Sequence, residues 1–321
     1  MTPRTRSVLA AGIALCGGAA PALAQRANEN AVTQAGDAFG TSVGNERIGI
    51  YNPFSARGFS PVQAGNVRIE GLYFDLQAEL DNRFVSGANV RVGISAQSYP
   101  FSAPSGIADY SIRKAGDEAV LSAIATVGSF GPTSISADAQ LPVSDRLSVA
   151  AGAGYLYDLT HWGADRNFVN AALIPRWRPT DSVEVVPFVS WFLSSGTEAQ
   201  PIYFPAGSYL PPQIQRREYF GPSWARSEAE GLNYGLLSSF TSGRWVVRSG
   251  LFSSELSQDR SFTEIALNMT PDGLADRYLA REGDRRFASR SGELRISRSL
   301  TEGPRLHTLH FALRGREQRR R

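Results

Sequence analysis

Residues 142–159 read Pro-Val-Ser-Asp-Arg-Leu-Ser-Val-Ala-Ala-Gly-Ala-Gly-Tyr-Leu-Tyr-Asp-Leu, a cluster of turn residues followed by a regular alternation. Successive side chains of an extended chain point to opposite faces. Val149, Ala151, Ala153, Tyr155 and Tyr157 therefore share one face, and Ser148, Ala150, Gly152 and Gly154 share the other. Only the first of these faces suits a hydrocarbon surroundings with aromatics at its end, so the stretch predicts a strand entered through a tight turn.

The same texture extends in both directions. Strands are expected near 118–128, 134–141, 147–158, 167–178, 182–193, 230–241, 244–255, 287–299 and 305–315, with almost no helical periodicity. Short turns at Pro142 to Asp145, Pro179 to Asp181, Ser242-Gly243 and Thr301 to Pro304 alternate with long connections at 194–229 and 256–286. Tight turns at one end and large loops at the other are the plan of an antiparallel up-and-down transmembrane β-barrel in an outer membrane. Leu294, Ile296 and Leu300 oppose Glu293, Arg295, Ser297 and Ser299, while Leu309, Phe311 and Leu313 oppose His310 and Arg314. A soluble β-sandwich produces the same alternation. Val183 to Trp191 is apolar on both faces and carries Pro187 in its middle, which a central strand does not favour.

The chain has 321 residues, 42% hydrophobic and 20% charged, which excludes a disordered chain and a bundle of membrane helices. Its opening reads as a secretory signal: Arg4 and Arg6, an apolar stretch from Val8 to Leu23, and the small-x-small end Ala22-Leu23-Ala24, predicting cleavage before Gln25. A lipoprotein alternative uses Cys16, but Leu15 stands where a small residue belongs. Cleavage removes that cysteine and two arginines, leaving 31 basic against 30 acidic residues and no thiol. Disulfides and a catalytic cysteine are excluded from the mature chain, and the balanced charge argues against nucleic acid as a partner.

Upstream of the strands, about residues 25–116 are rich in Gly and polar residues. Here Ala56-Arg57-Gly58-Phe59, followed by Asn66-Val67-Arg68-Ile69-Glu70-Gly71-Leu72-Tyr73-Phe74, resembles the plug domain of TonB-dependent outer-membrane receptors. Ala103 to Lys114 is similar to the closing strand of that plug. The resemblance covers about 37–116 and implies a small α+β plug followed by a barrel over 117–321, with a flexible segment at 25–36. Two departures stand out. Val92-Gly93-Ile94 replaces the family's Arg-Gly-Pro and Tyr99-Pro100 its Tyr-Gly, the mark of a divergent branch. The family's barrel also has about 22 strands, against about nine expected here, and an odd, open set cannot close a bacterial barrel. The chain is therefore expected to be the amino-terminal part of a longer receptor.

The resemblance implies site residues. Glu29, Asn30, Ala31, Val32 and Thr33 lie where such receptors keep the TonB box, captured by the energy-coupling protein TonB through strand addition. A linker without that role is the alternative. Plug apices map to Arg57, Tyr73, Phe74 and Gln77 as ligand contacts, with an Arg fork for an anionic oxygen and aromatic area for stacking. A structural Arg holding the apex is the other reading of Arg57. Tyr203, Phe204, Tyr209, Arg216, Arg217, Tyr219, Phe220 and Trp224 suggest an aromatic and basic mouth, or ordinary loop packing. Arg314 to Arg321 is expected to emerge at the external end, where lipopolysaccharide phosphates are available, or to be the rising part of a loop.

Enzyme chemistry has little to stand on. His161, His307 and His310 are the only histidines, and the last two, three apart on a strand, face opposite sides and cannot share a metal. Gly152-Ala153-Gly154 lacks the strand-turn-helix context of a dinucleotide site. The reading is thus a receptor for energy-coupled uptake of a scarce nutrient such as a ferric siderophore, without cofactor or catalysis, embedded in outer-membrane lipid. The rivals are a small passive or adhesive barrel with an amino-terminal extension, and a secreted all-β carbohydrate-active protein, which needs a carboxylate pair in one cleft.

Overall fold

A computed structural model describes residues 40–43, 51–52, 54–56, 60–91, 99–101, 106–128, 131–160, 163–198, 202–211, 216–219, 221–303 and 305–321. The signal peptide expected at 1–24 lies outside them. The amino-terminal part holds β1 (Gly40–Val43), a short hairpin of β2 (Tyr51–Asn52) and β3 (Ser55–Ala56), and then β4 (Val67–Ile69), β5 (Leu72–Tyr73), β6 (Val85–Arg91) and β7 (Ile107–Ile112). Five of these form one sheet in the order β1-β6-β7-β4-β5, with β4 and β7 parallel.

The run Asn66 to Phe74 forms a hairpin, because Glu70 (φ 51°) and Gly71 (φ 77°) both take positive φ, as a two-residue hairpin turn with the right twist demands. The helical half of the expected α+β plug is not found among the described residues. At Ser60 to Asn66 the chain makes a single turn, Ala64 N–H donating to Ser60 O, and Gly65 at φ 66° ends it.

The remaining strands are β8 (Val120–Val127), β9 (Thr133–Ser144), β10 (Leu147–Leu159), β11 (Asp165–Thr180), β12 (Val183–Glu198), β13 (Ile202–Pro205), β14 (Arg226–Ser242), β15 (Trp245–Asp259), β16 (Ser261–Met269), β17 (Asp276–Glu282), β18 (Arg285–Glu302) and β19 (Arg305–Arg320). Nine of them form one antiparallel sheet, β19-β18-β15-β14-β12-β11-β10-β9-β8, each next to its neighbour in sequence. All nine expected strands are present, most of them longer than their sequence patterns suggested. The two long connections, read from sequence as loops, carry β13, β16 and β17, which pair into a three-stranded sheet.

One face of the large sheet is apolar and open. Leu121, Ile135, Leu141, Leu173, Leu236, Leu251, Phe311 and Leu313 point outward and are exposed. Outward aromatics stand towards both ends, Trp177, Phe240 and Trp245 near the tight turns and Tyr155, Tyr157 and Trp191 towards the long loops. An apolar band flanked by aromatics fits a lipid-facing wall. The other face receives the small domain. Val186, Phe188, Ile174, Leu237 and Phe252 join Ile69, Leu72, Phe74 and Phe84 in one core, with the Phe84 and Phe188 rings 4.6 Å apart. This explains why β12 is apolar on both faces: one meets the surroundings and the other meets the small domain.

Pro187 is also accounted for. The β11–β12 ladder runs to Leu173–Val189 and resumes at Trp177–Val185, a register that sets Pro175 opposite Pro187. The ladders on their far sides continue through Val149–Pro175 and Pro187–Leu236. Both missing N–H donors therefore fall in one gap between two strands, so no third strand is left with an unmet acceptor.

Candidate functional site

The small domain meets the wall along residues 70–83, a stretch that crosses the inner face from β18 to β9. Its backbone groups outside any ladder need partners, and side chains on successive strands supply them. Arg295 of β18 donates to Gly71 O (2.8 Å), and Tyr73 N–H donates to Glu293 Oε2 (3.0 Å). Asp75 N–H donates to Ser291 Oγ (3.0 Å). On β15, Ser254 Oγ accepts from both Gln77 N–H (2.9 Å) and Ala78 N–H (3.0 Å). Asn233 of β14, fully buried, donates to Ala78 O and Glu79 O at 3.3 Å. The contact close to β9 and β10 is tight: a Cβ on Gly152 of β10 would lie 2.6 Å from Asp138 Oδ1 and 3.2 Å from Arg83 Cβ.

Charged groups stud this seam. Asp75 accepts from Ser289 Oγ (2.6 Å), Gln318 Nε2 (2.7 Å) and Arg316 Nη1 (3.0 Å). Arg83 pairs with Asp138, and Asp81 accepts from Asn170 Nδ2 at 2.6 Å. Burial raises the Asp81 carboxyl above its ordinary range, partly opposed by its hydrogen bonds. Lys114 bridges Glu70 (3.3 Å) and Glu184 (3.4 Å). Asp109 accepts from Gly71 N–H (2.7 Å) and Tyr99 Oη (2.7 Å), and its carboxyl is raised, again chiefly by burial. Burial likewise raises the Tyr99 phenol, with the Asp109 charge adding to it.

At the centre sits Arg68. It is fully buried, its guanidinium lies 4.0 Å from the Phe101 ring centroid, and its nearest carboxylate oxygen is Glu293 Oε2 at 3.6 Å. None of its three side-chain nitrogens makes a hydrogen bond among the described residues. Burial depresses its pKa to about 10, against the pull of Glu293 and together with Arg314 and Arg295. Glu293 thus serves Arg68, Arg295 and the Tyr73 amide at once.

The residues expected to contact ligand fare differently. Arg57, with Glu29, Asn30, Ala31, Val32 and Thr33, lies outside the described residues. Phe74 is 1% exposed and packs edge-to-face on Phe252 at 5.5 Å, so it is an anchor of the seam and offers no stacking surface while the domain is seated. Tyr73 is buried, with Arg68 and Arg314 at 5.0 and 5.4 Å from its ring. Gln77 is half-buried and donates to Asp75 at 3.3 Å. The seam residues Asp75, Ser254 and Asn233 were not singled out from sequence, and Glu293 was read only as part of a polar strand face. For the three on the wall, the signal was an Asn, Ser or Glu in mid-strand on the face opposite the apolar one; Asp75, outside any strand, carried none.

In the expected mouth, Tyr203 and Phe204 lie in β13, Tyr209 Oη donates to Met269 O (2.6 Å), and Trp224 packs edge-to-face on Phe262 at 5.9 Å. The Tyr203 phenol is raised by burial and by the neighbouring Glu264, which pairs with Arg277. Phe220 and His161 lie outside the described residues. His310 bonds Ser297 across the inner face and His307 points outward, on opposite sides as expected. Among the described residues no three His, Cys, Asp or Glu side chains gather in a metal-binding group.

No family model matches the chain, and no curated protein matches it. Solved structures do. The FpvA structure from Pseudomonas aeruginosa, bound to an iron pyoverdine, superposes with a TM-score of 0.68 at 13% identity, over 83% of this chain and 37% of that one. Fiu, the ferric-catecholate import receptor of Escherichia coli K12, gives 0.65 at 12% identity over 79% and 42%. The siderophore receptor PiuA of Acinetobacter baumannii gives 0.63 at 10% over 82% and 39%. The chain spans about two fifths of the length of these structures. At such identities the likeness is one of fold.

Proposed function

We propose that this chain, which has the fold of TonB-dependent outer-membrane receptors, acts in the outer membrane of a Gram-negative bacterium as such a receptor, taking up a scarce metal chelate such as a ferric siderophore. In this reading 1–24 is the signal peptide, 25–36 carries the TonB box at Glu29 to Thr33, 37–116 is the plug, and 117–321 is barrel wall. The protein transports rather than catalyses, and Arg57 with the exposed parts of the plug apices forms the ligand surface.

The observation that carries the reading is the construction of the seam. The small domain is held by discrete side-chain hydrogen bonds and a shared core, and among the described residues no ladder joins its sheet to the nine-stranded wall. A ladder could not be broken without unravelling the wall. Contacts like Ser254 to Gln77 release one at a time, which suits a domain displaced by mechanical work from outside the membrane. The total work required is substantial, since several buried polar contacts and the packing of Phe74 must in the end be given up.

The test is uptake of radiolabelled ferric chelates in cells that depend on this protein. Deleting residues 25–36, or removing TonB, is expected to abolish uptake and spare binding at the cell surface. Uptake that persists in both backgrounds overturns energy coupling and moves the protein to the passive barrels.

A further inference from the structure

Arg68 is held in the seam without the partners a guanidinium demands. Its side chain is 0% exposed, and Nε, Nη1 and Nη2 all lack an acceptor among the described residues. The Phe101 ring covers it at 4.0 Å from the guanidinium carbon. Glu293 Oε2 stands 3.6 Å from Nη1, beyond hydrogen-bond reach, because the Glu293 oxygens are committed to Arg295 and the Tyr73 amide. A guanidinium carries donors and no acceptor, so what Arg68 still needs is an acceptor.

The charges leave the same gap. Arg68 and Arg295 share the one carboxylate of Glu293. The charges around them cancel: Arg316 pairs with Asp75, Lys114 with Glu70, and Arg248 and Asp109 each reach within 3.7 Å of a Cβ placed on Gly71. One positive charge is left over inside the seam. Arg314 adds a second beside it. It is the register partner of Glu293 on the inner face of β19, is exposed, and makes no ion pair or hydrogen bond among the described residues. The Arg68 and Arg314 guanidiniums lie 5.0 and 5.4 Å from the centroid of the same Tyr73 ring. One cation from the small domain and one from the wall therefore converge, the first sealed from solvent and the second open to it.

A buried charge persists when it is paired and hydrogen-bonded. The enclosure of Arg68 requires a small acceptor, and a surplus of one positive charge requires a single negative one. We infer that the seam binds a small monovalent inorganic anion, chloride in ordinary medium, between Arg68 of the small domain and Arg314 of the wall. The two arginines come from opposite sides of the seam, so the anion has both only while the domain is seated. Chloride is then a ligand of the seated state and strengthens it by mass action. The site stands on the seam contacts alone and holds whether or not the protein takes up a chelate.

The test uses the full chain in detergent, with sodium chloride exchanged for sodium gluconate at fixed ionic strength, gluconate being too bulky for an enclosed site. Chlorine NMR reads binding as excess line width, and hydrogen exchange over 70–80 reads seating. For a dissociation constant of about 10 mM, about 100 mM chloride should slow that exchange by roughly tenfold. Arg68→Met is expected to abolish both the excess line width and the slowing. Arg314→Gln changes an exposed side chain, leaves the core untouched, and is expected to remove most of both. Arg305→Gln, at the tight-turn end, is expected to keep them. No excess line width, or slowing that gluconate reproduces, overturns the site and leaves the Arg68 donors to water. Line width and slowing that survive in Arg68→Met and in Arg314→Gln place the anion elsewhere and overturn the assignment. Displacement of chloride by equimolar inorganic phosphate overturns the monovalent assignment in favour of an oxyanion.

Discussion

Replacing Glu293 by Gln tests whether the seam is held at Arg68. The side chains of Glu293, Arg68 and Arg295 are 2%, 0% and 7% exposed, so the substitution leaves two guanidiniums buried with their shared carboxylate gone. Gln keeps an oxygen for the Tyr73 amide, which confines the change largely to charge. Removing one partner of a buried ion pair costs about 3–5 kcal/mol, which corresponds to roughly 10²- to 10³-fold or more in the equilibrium between seated and released domain. Hydrogen exchange reads this directly, because the Tyr73, Asp75, Gln77 and Ala78 amides are protected by wall side chains. Exchange in a peptide over 70–80 is expected to accelerate by that factor, while the ladder amides of β14 and β15 keep their protection. Adding Arg68→Met to Glu293→Gln removes one of the stranded charges and should recover most of the loss. The reasoning fails if Glu293→Gln changes exchange over 70–80 by less than about threefold, or if the double variant is worse than the single.

Other expectations follow from single contacts. Ser254→Ala strands the Gln77 and Ala78 amides and should weaken seating by about 2 kcal/mol, seen as faster exchange at those two amides with the rest of the seam less affected. Phe74→Ala should cost about 3–5 kcal/mol through lost core packing with Phe252, read as domain release at lower urea. The burial-raised carboxyls of Asp109 and Asp81 mean that the seated state holds protons that the released state has already lost. Seating is therefore strongest below the ordinary carboxylate range near 3.8 and weakens as pH rises through the raised values. Asp109→Asn, which can keep both hydrogen bonds, should flatten part of that dependence in exchange measured across pH 4 to 7. Pro187→Ala restores a donor facing Pro175 and should stabilise the wall by about 1 kcal/mol, measured as slower hydrogen exchange of the β11 and β12 amides.

What the sequence settled by itself was local. Strand positions, tight turns and the outward faces of β10, β18 and β19 were legible because side chains alternate with period two and because turn residues act within four positions of themselves. The opposite placement of His307 and His310 followed from the same geometry. The tertiary structure decided what each second face meets. Val186 and Phe188 look like a defect in an amphipathic strand until Phe84 and Phe252 are set against them, and Phe74 looks like a free aromatic until the wall closes over it. Pro187 has no local justification, since its tolerance depends on the residue directly opposite, Pro175, a dozen positions away and matched only by register. Asp75, with its partners at 289, 316 and 318, shows the same limit: alternation encodes direction, and only packing determines which polar group waits on the other side.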